Sequence, residues 1–104
     1  GYPTVNNSSF TVSATSVPAD GVSAITLTLV ARDMRNNAVK TLPNLINFDT
    51  SGLPGCYISA VKVSGNVYTA QLTSTKAMSG KIAVNLMLRR GVMPINVTFT
   101  PPAR

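Results

Sequence analysis

Alternation of apolar and polar residues between residues 23 and 32 constrains the fold of this chain more than any other feature. Ile25, Leu27, Leu29 and Ala31 share one phase, while threonines and an arginine occupy the other. Successive side chains of a β-strand point to opposite faces, so a period of two is typical of a half-buried strand. The pattern predicts a strand from Ser23 to Arg32.

The same period recurs along the chain, and no stretch of a dozen residues shows a helical period. A run from Tyr57 to Val63 is less regular, because two sets of residues compete for its inward face. About seven short strands separated by turn signals indicate an all-β immunoglobulin-like sandwich of antiparallel strands. The other apolar phases are Phe10, Val12 and Ala14; Ile46 and Phe48; Tyr68, Ala70 and Leu72; Ile82, Val84, Leu86 and Leu88; and Ile95, Val97 and Phe99.

Turn-forming residues separate these runs and set the predicted connections. If every connection reverses the chain, an odd number of strands sends the first and the last strand in the same direction. We therefore expect the two ends of the sandwich chain at opposite poles. The predicted turns are residues 18–21, 33–37, 51–55, 64–66, 78–80 and 90–91.

Length and composition indicate one domain with a core of its own. The chain has 104 residues, of which 44% are hydrophobic, and its mean hydropathy is +0.21. No apolar run approaches the roughly 18 residues of a membrane-spanning helix. We expect a single immunoglobulin-like domain over residues 1–104, with residues 1–8 as an N-terminal linker and residues 9–100 as the sandwich. Residues 101–104, with adjacent prolines at 101 and 102, are expected to begin a semi-rigid linker.

The residue types that most often perform catalysis or bind metals are scarce. The chain has no histidine, no tryptophan, one cysteine and three acidic residues. A single cysteine cannot form an intradomain disulfide, so Cys56 is either a half-buried residue at a loop-to-strand junction or a partner in an intermolecular disulfide. We expect no enzymatic activity and no catalytic, cofactor-binding or metal-binding residues.

Asp20 and Asp33 lie at the two ends of the strand predicted over residues 23–32. A ten-residue strand would separate their attachment points by about 40 Å, too far for a catalytic pair of carboxylates or a shared calcium site. Aspartate accepts hydrogen bonds from backbone N–H groups in turns, and glycine supplies left-handed backbone conformations. We therefore predict that Asp20, Gly21 and Asp33 are structural turn residues.

The net charge of +6 comes from nine basic residues that are mostly dispersed through the sequence. Arg89 and Arg90 form the one adjacent pair, and we name them as possible binding residues. Exposed lysines and arginines that keep sheet edges from pairing are the structural interpretation of this charge. Contact with anionic surface polymers is the alternative. The absence of interleaved aromatic residues argues against nucleic acid as a partner.

Three segments of the chain resemble the group 1 bacterial immunoglobulin-like domain of the intimin and invasin adhesins. The first runs from the Pro-Ala-Asp-Gly turn at 18–21 through the threonine-rich strand to Val39, and Asn36-Asn37 replaces the family's usual glycine. The second is Asn-Val-Tyr-Thr-Ala-Gln-Leu-Thr at 66–73, followed by Gly80. The third is Val-Thr-Phe-Thr at 97–100. The resemblance covers residues 9 to 100, although residues 42–56 diverge.

This resemblance implies a structural spacer, one repeat in the extracellular stalk of an outer-membrane adhesin whose tip binds a receptor. The implied partners are neighbouring immunoglobulin-like domains, and the implied location is the bacterial cell surface, outside the membrane. The alternative is that this domain itself contacts a host receptor or an anionic polysaccharide through its basic surface.

Overall fold

Nine strands form the part of the chain that the computed structural model describes, namely residues 8–32, 35, 46–86 and 89–101. The side chains of residues 46, 86, 89 and 90 lie outside that description. Within these ranges there is no helix, and therefore none long and apolar enough to cross a membrane. The strands are β1 (Ser9–Val12), β2 (Ser16–Pro18), β3 (Ile25–Val30), β4 (Ile46–Asp49), β5 (Tyr57–Ile58), β6 (Lys62–Ser64), β7 (Val67–Thr73), β8 (Met78–Leu86) and β9 (Arg89–Thr100).

The strands form two sheets. In the five-stranded sheet β1, β3, β7 and β5 are neighbours in that order, and β6 also pairs with β7. The four-stranded sheet has the order β2, β9, β8 and β4. The prediction of an all-β sandwich without a disulfide is confirmed, and Cys56 is a free cysteine.

The apolar phases predicted from sequence meet between the sheets. Ile25, Leu27 and Leu29 of β3 are fully buried, and Tyr68 of β7 is buried beside them. Burial of such side chains contributes about 1.5–3 kcal/mol each, so this layer supplies the main favourable term in folding. The other sheet contributes Phe48, Ile82, Val84, Val97 and Phe99.

Four local predictions were wrong. The run from Tyr57 to Val63 forms two short strands. The segment that joins β5 to β6 has one residue more than the part of β7 opposite it, and this bulge interrupts the pairing. Residues 78–80 form the start of β8 instead of a turn, and residues 90–91 lie inside β9. Pro18, predicted to open a turn, ends β2, an edge strand where its missing N–H is tolerated.

The chain passes through the sandwich from one pole to the other. After β1 it changes sheets, and β2 pairs with β9 in parallel, with Val17 opposite Phe99. We call the end that contains Ser8, Arg32 and Asn66 the Ser8 pole, and the end that contains Ala19, Ser74 and Thr100 the Thr100 pole. Strands β1, β2 and β9 all run from the Ser8 pole to the Thr100 pole.

Candidate functional site

The turn between β2 and β3 is built around Asp20. Its Oδ1 accepts hydrogen bonds from the backbone N–H of Val22 at 2.8 Å and of Ser23 at 2.6 Å, and its Oδ2 accepts one from the Ser23 hydroxyl at 2.8 Å. The Ser23 N–H, and next the Val22 N–H, lower the pKa of Asp20, because these bonds favour the ionised carboxylate. The carboxylate therefore closes the turn through hydrogen bonds to residues two and three positions further along the chain.

Gly21 and Ala19 connect this turn to both sheets. Gly21 has φ +77°, a left-handed conformation, and its N–H donates to the Ser74 carbonyl at 3.0 Å, just beyond β7. The Ala19 N–H donates to the carbonyl of Thr100, the last residue of β9, at 2.8 Å. The two bonds place the turn at the Thr100 pole, where the five-stranded and four-stranded sheets end together.

The structure describes the other residues singled out from sequence only in part. Asp33 lies outside the described residues. Arg89 and Arg90 begin β9, but their side chains are not described, so their role in binding stays a prediction. Asp49 accepts a hydrogen bond from the Ser51 N–H at 2.9 Å, which lowers the pKa of its carboxyl group.

Two findings bear on chemistry within the described ranges. No group of three potential metal-ligating side chains from His, Cys, Asp or Glu occurs there. Cys56 is half-buried directly before β5, and burial raises the pKa of its thiol. A thiol with a raised pKa is a weak nucleophile at neutral pH, because less thiolate is present.

Sequence reasoning missed the buried and half-buried polar residues that hydrogen-bond to the backbone at each pole. At the Ser8 pole, the Ser8 hydroxyl accepts from the Arg32 N–H at 3.0 Å and is 3.2 Å from the Arg32 carbonyl, while the Asn66 amide donates to the Ala31 carbonyl at 2.9 Å. At the Thr100 pole, the Ser74 hydroxyl makes the matching pair of contacts with the backbone of Lys76. The one signal in the sequence is position, since each residue lies beside a strand end.

Sequence reasoning also missed Tyr57, which is 67% exposed on the outer face of the five-stranded sheet. Its run had no clear phase, because Tyr57, Val61 and Val63 competed with Ile58, Ala60 and Lys62 for the core. The bulge between β5 and β6 changes the phase within this run, and that change could not be read from the pattern.

Comparison with known proteins identifies the family. The model of the family described as invasin, domain 3, matches residues 4–102. Among solved structures, a bacterial integrin-binding invasin has a TM-score of 0.86 and 24% identity, covering 95% of this chain and 20% of its own. The Yersinia pseudotuberculosis adhesin InvE has a TM-score of 0.76 and 24% identity, and the match covers 97% of this chain and 28% of the InvE chain. The Escherichia coli adhesin FdeC has a TM-score of 0.75 and 20% identity, with 99% and 33% covered.

This chain thus spans a fifth to a third of the length of those three structures, and the likeness to them shows a shared fold. A comparison with curated proteins finds no significant match. The family match covers nearly the whole chain, including both sheets and the Asp20 turn. The chain belongs to the invasin domain 3 family and is an immunoglobulin-like domain of the intimin and invasin type.

Proposed function

We propose that this domain is a non-enzymatic spacer in the extracellular stalk of an intimin/invasin-like adhesin, where it projects a receptor-binding tip from the outer membrane. The observation that carries the proposal is the direction of the chain. Strands β1, β2 and β9 run the same way, so the chain enters the sandwich at the Ser8 pole and leaves it at the Thr100 pole.

A domain of this kind adds its full length to a stalk. If both chain ends lay at one pole, neighbouring domains would be held side by side, and the array would gain no reach. The Ala19 to Thr100 hydrogen bond fixes the direction in which β9 leaves the sandwich. The prolines at 101 and 102 restrict the backbone beyond it, which favours a stiff joint to a neighbouring immunoglobulin-like domain.

The relatives support the location and the absence of an enzymatic role. InvE and FdeC are named as adhesins, and membership of the invasin family supports a place on the bacterial cell surface. Anchoring in the outer membrane is part of the proposal. The lack of histidine in the sequence supports a mechanical role over a catalytic one, because histidine is the commonest general acid or base.

Replacement in the parent adhesin tests the spacer role. The domain is exchanged for an unrelated immunoglobulin-like domain of the same length, and a second variant deletes it. A spacer predicts that cell adhesion survives the exchange and that deletion lowers the height of the tip above the membrane. Loss of adhesion in the exchanged variant, at equal surface expression, would contradict the spacer role.

The net charge of +6 favours a second candidate function, binding of an anionic polymer such as lipopolysaccharide or a host glycosaminoglycan. For a spacer with dispersed charges, we expect retention on heparin and lipopolysaccharide to fade at physiological salt, where charges are screened beyond about 8 Å. If the domain is still retained there, and the double variant Arg89→Ala/Arg90→Ala releases it, polymer binding replaces the spacer role.

A further inference from the structure

The outer face of the five-stranded sheet presents hydroxyl and amide groups in register. Thr28 of β3 lies opposite Thr69 of β7, and Thr26 lies opposite Gln71. The residues between them in sequence, Leu27 and Ala70, are buried. Because side chains alternate between the faces of a sheet, the threonines and the glutamine point away from the core.

The edge beside β7 adds an aromatic ring and a positive charge to the same face. Tyr57 pairs with Thr73, and Lys62 pairs with Thr69, so both side chains share the outward face of their partners. Thr69 and Thr73 are four residues apart, which corresponds to about 14 Å along the strand. We call this row, made of Tyr57, Thr73, Gln71, Thr69 and Lys62, the β7 strip.

The middle of the β7 strip is ordered by hydrogen bonds. The Gln71 Oε1 accepts from the Thr26 hydroxyl at 2.8 Å, and the Gln71 backbone N–H donates to the Ser59 hydroxyl at 2.9 Å. The first bond orients the exposed amide through its oxygen, and the amide nitrogen keeps two protons that can be donated to a ligand. A preorganised amide donor between a ring and a cation loses little entropy when it binds a ligand.

The charge on this face is one-sided. Lys62 is the one charged side chain on the described strands of the five-stranded sheet, and no carboxylate lies on them. An anionic group therefore meets attraction at the Lys62 end without repulsion from the rest of the face. At the other end the exposed Tyr57 ring offers an apolar surface with a polar tip.

We propose that the β7 strip binds an acidic oligosaccharide. A sugar ring has a C–H face that packs on Tyr57, hydroxyl groups that accept from the Gln71 amide and the threonine hydroxyls, and a carboxylate that pairs with Lys62. The length of the strip suits a short segment of such a chain. This site lies on the five-stranded sheet, apart from Arg89 and Arg90 of β9. Weak binding there is compatible with the spacer role, so either proposal stands if the other fails.

Titration followed by NMR tests the proposal on this chain. The probes are a hyaluronan tetrasaccharide, which carries carboxylates, and chitotetraose, a neutral chain of the same length. We expect the hyaluronan probe at millimolar concentration to shift the amide signals of Tyr57, Thr69 and Gln71, and chitotetraose to bind more weakly. An absence of shifts with the hyaluronan probe, or shifts confined to the four-stranded sheet, would overturn the proposal.

Charge-matched variants separate the site from general attraction. Lys62→Gln and Lys81→Gln each remove one positive charge, but Lys81 lies in β8 on the other sheet. Lys62→Gln should weaken binding of the hyaluronan probe about fivefold, as expected for the loss of one exposed ion pair. Lys81→Gln should leave that binding unchanged. Tyr57→Ala should weaken binding of both sugars. Equal losses from the two lysine variants, or equal binding of the two sugars, would overturn the acidic-ligand assignment.

Discussion

The two sheets of this sandwich differ in the regularity of their strand pairing. In the five-stranded sheet β1, β3 and β7 pair residue for residue without a shift. In the four-stranded sheet β8 and β9 shift register twice, and Gly91 and Met93 have positive φ. The regular part of the five-stranded sheet, β1, β3 and β7, is specified by alternation within each strand. The irregular sheet depends on contacts between distant segments, which a local pattern does not contain.

The largest expected effect is in the regular sheet. Leu27→Ala removes a fully buried side chain and should lower the free energy of unfolding by about 3–4 kcal/mol. Ile95→Ala in β9, where the side chain is only partly buried, should cost about 2 kcal/mol. Denaturant unfolding of both variants makes the comparison. A cost for Ile95→Ala equal to that of Leu27→Ala would show that β9 packs as tightly beside its register shift as β3 does, and would remove the distinction between these two regions.

The next largest effect is expected at Gly80 of β8, which lies against the backbone of the distant residue Gly52. A Cβ atom at Gly80 would overlap the carbonyl oxygen of Gly52, which belongs to backbone and cannot rotate away. Gly80→Ala should therefore cost about 2–3 kcal/mol. Gly65→Ala is the control, because φ is +62° but no atom lies near the new methyl group, and about 1 kcal/mol is expected. Equal unfolding midpoints for the two variants would show that the contact with Gly52 is unimportant.

A smaller effect is expected where the sheets meet at the Asp20 turn. Gly21→Val places a β-branched residue at φ +77°, and its Cβ would lie 3.0 Å from the Thr75 methyl group. The strain should cost about 1–2 kcal/mol, whereas Val22→Ala, at the exposed neighbouring residue, should stay within about 0.5 kcal/mol. Thermal melting distinguishes them, and an unchanged melting temperature for Gly21→Val would rule out this turn as an anchor.

The smallest effect depends on pH. Hydrogen bonds from Ser23 and Val22 lower the folded-state pKa of Asp20 below its unfolded-state value. The contribution of the ionised carboxylate to folding stability is therefore complete above the unfolded-state pKa. It is lost as the pH falls through the lower, folded-state pKa. The stability difference between the natural chain and Asp20→Asn should be constant near neutral pH and shrink below about pH 4. Unfolding midpoints measured across this range check the prediction. A difference that grows on acidification would contradict it.

Alternation in the sequence was sufficient to predict the fold class and the buried face of β3, β7 and β9. It failed at residues 78–80, because glycine there signals the close approach of Gly52 and not a turn. It also failed to reveal β2, because three residues are too few to show a period, and the pairing with β9 is tertiary.

The candidate sites also differ in how far the sequence alone predicts them. The hydrogen bonds of Asp20 and the conformation of Gly21 are local, so a Pro-Ala-Asp-Gly sequence is enough to suggest them. The β7 strip exists because β5 and β6 both pair with β7, and the bulge between β5 and β6 shifts the register of β6 by one residue. No sequence pattern placed Tyr57 and Lys62 on the same face as Thr69 and Gln71.

The spacer role rests on the passage of the chain from pole to pole, and a distance between two spin labels tests it directly. The labels are attached at Ser9→Cys and Pro101→Cys in a Cys56→Ser background. Ser9 lies level with Val67 through Val30, and Pro101 follows Thr100 at the pole of Ser74. The seven residues of rise from Val67 to Ser74 correspond to about 24 Å along the strand. We therefore expect a single distance of about 24 Å or more between the two labels. A distribution centred at about 10 Å, the spacing between two packed sheets, would place both chain ends at one pole and contradict the account.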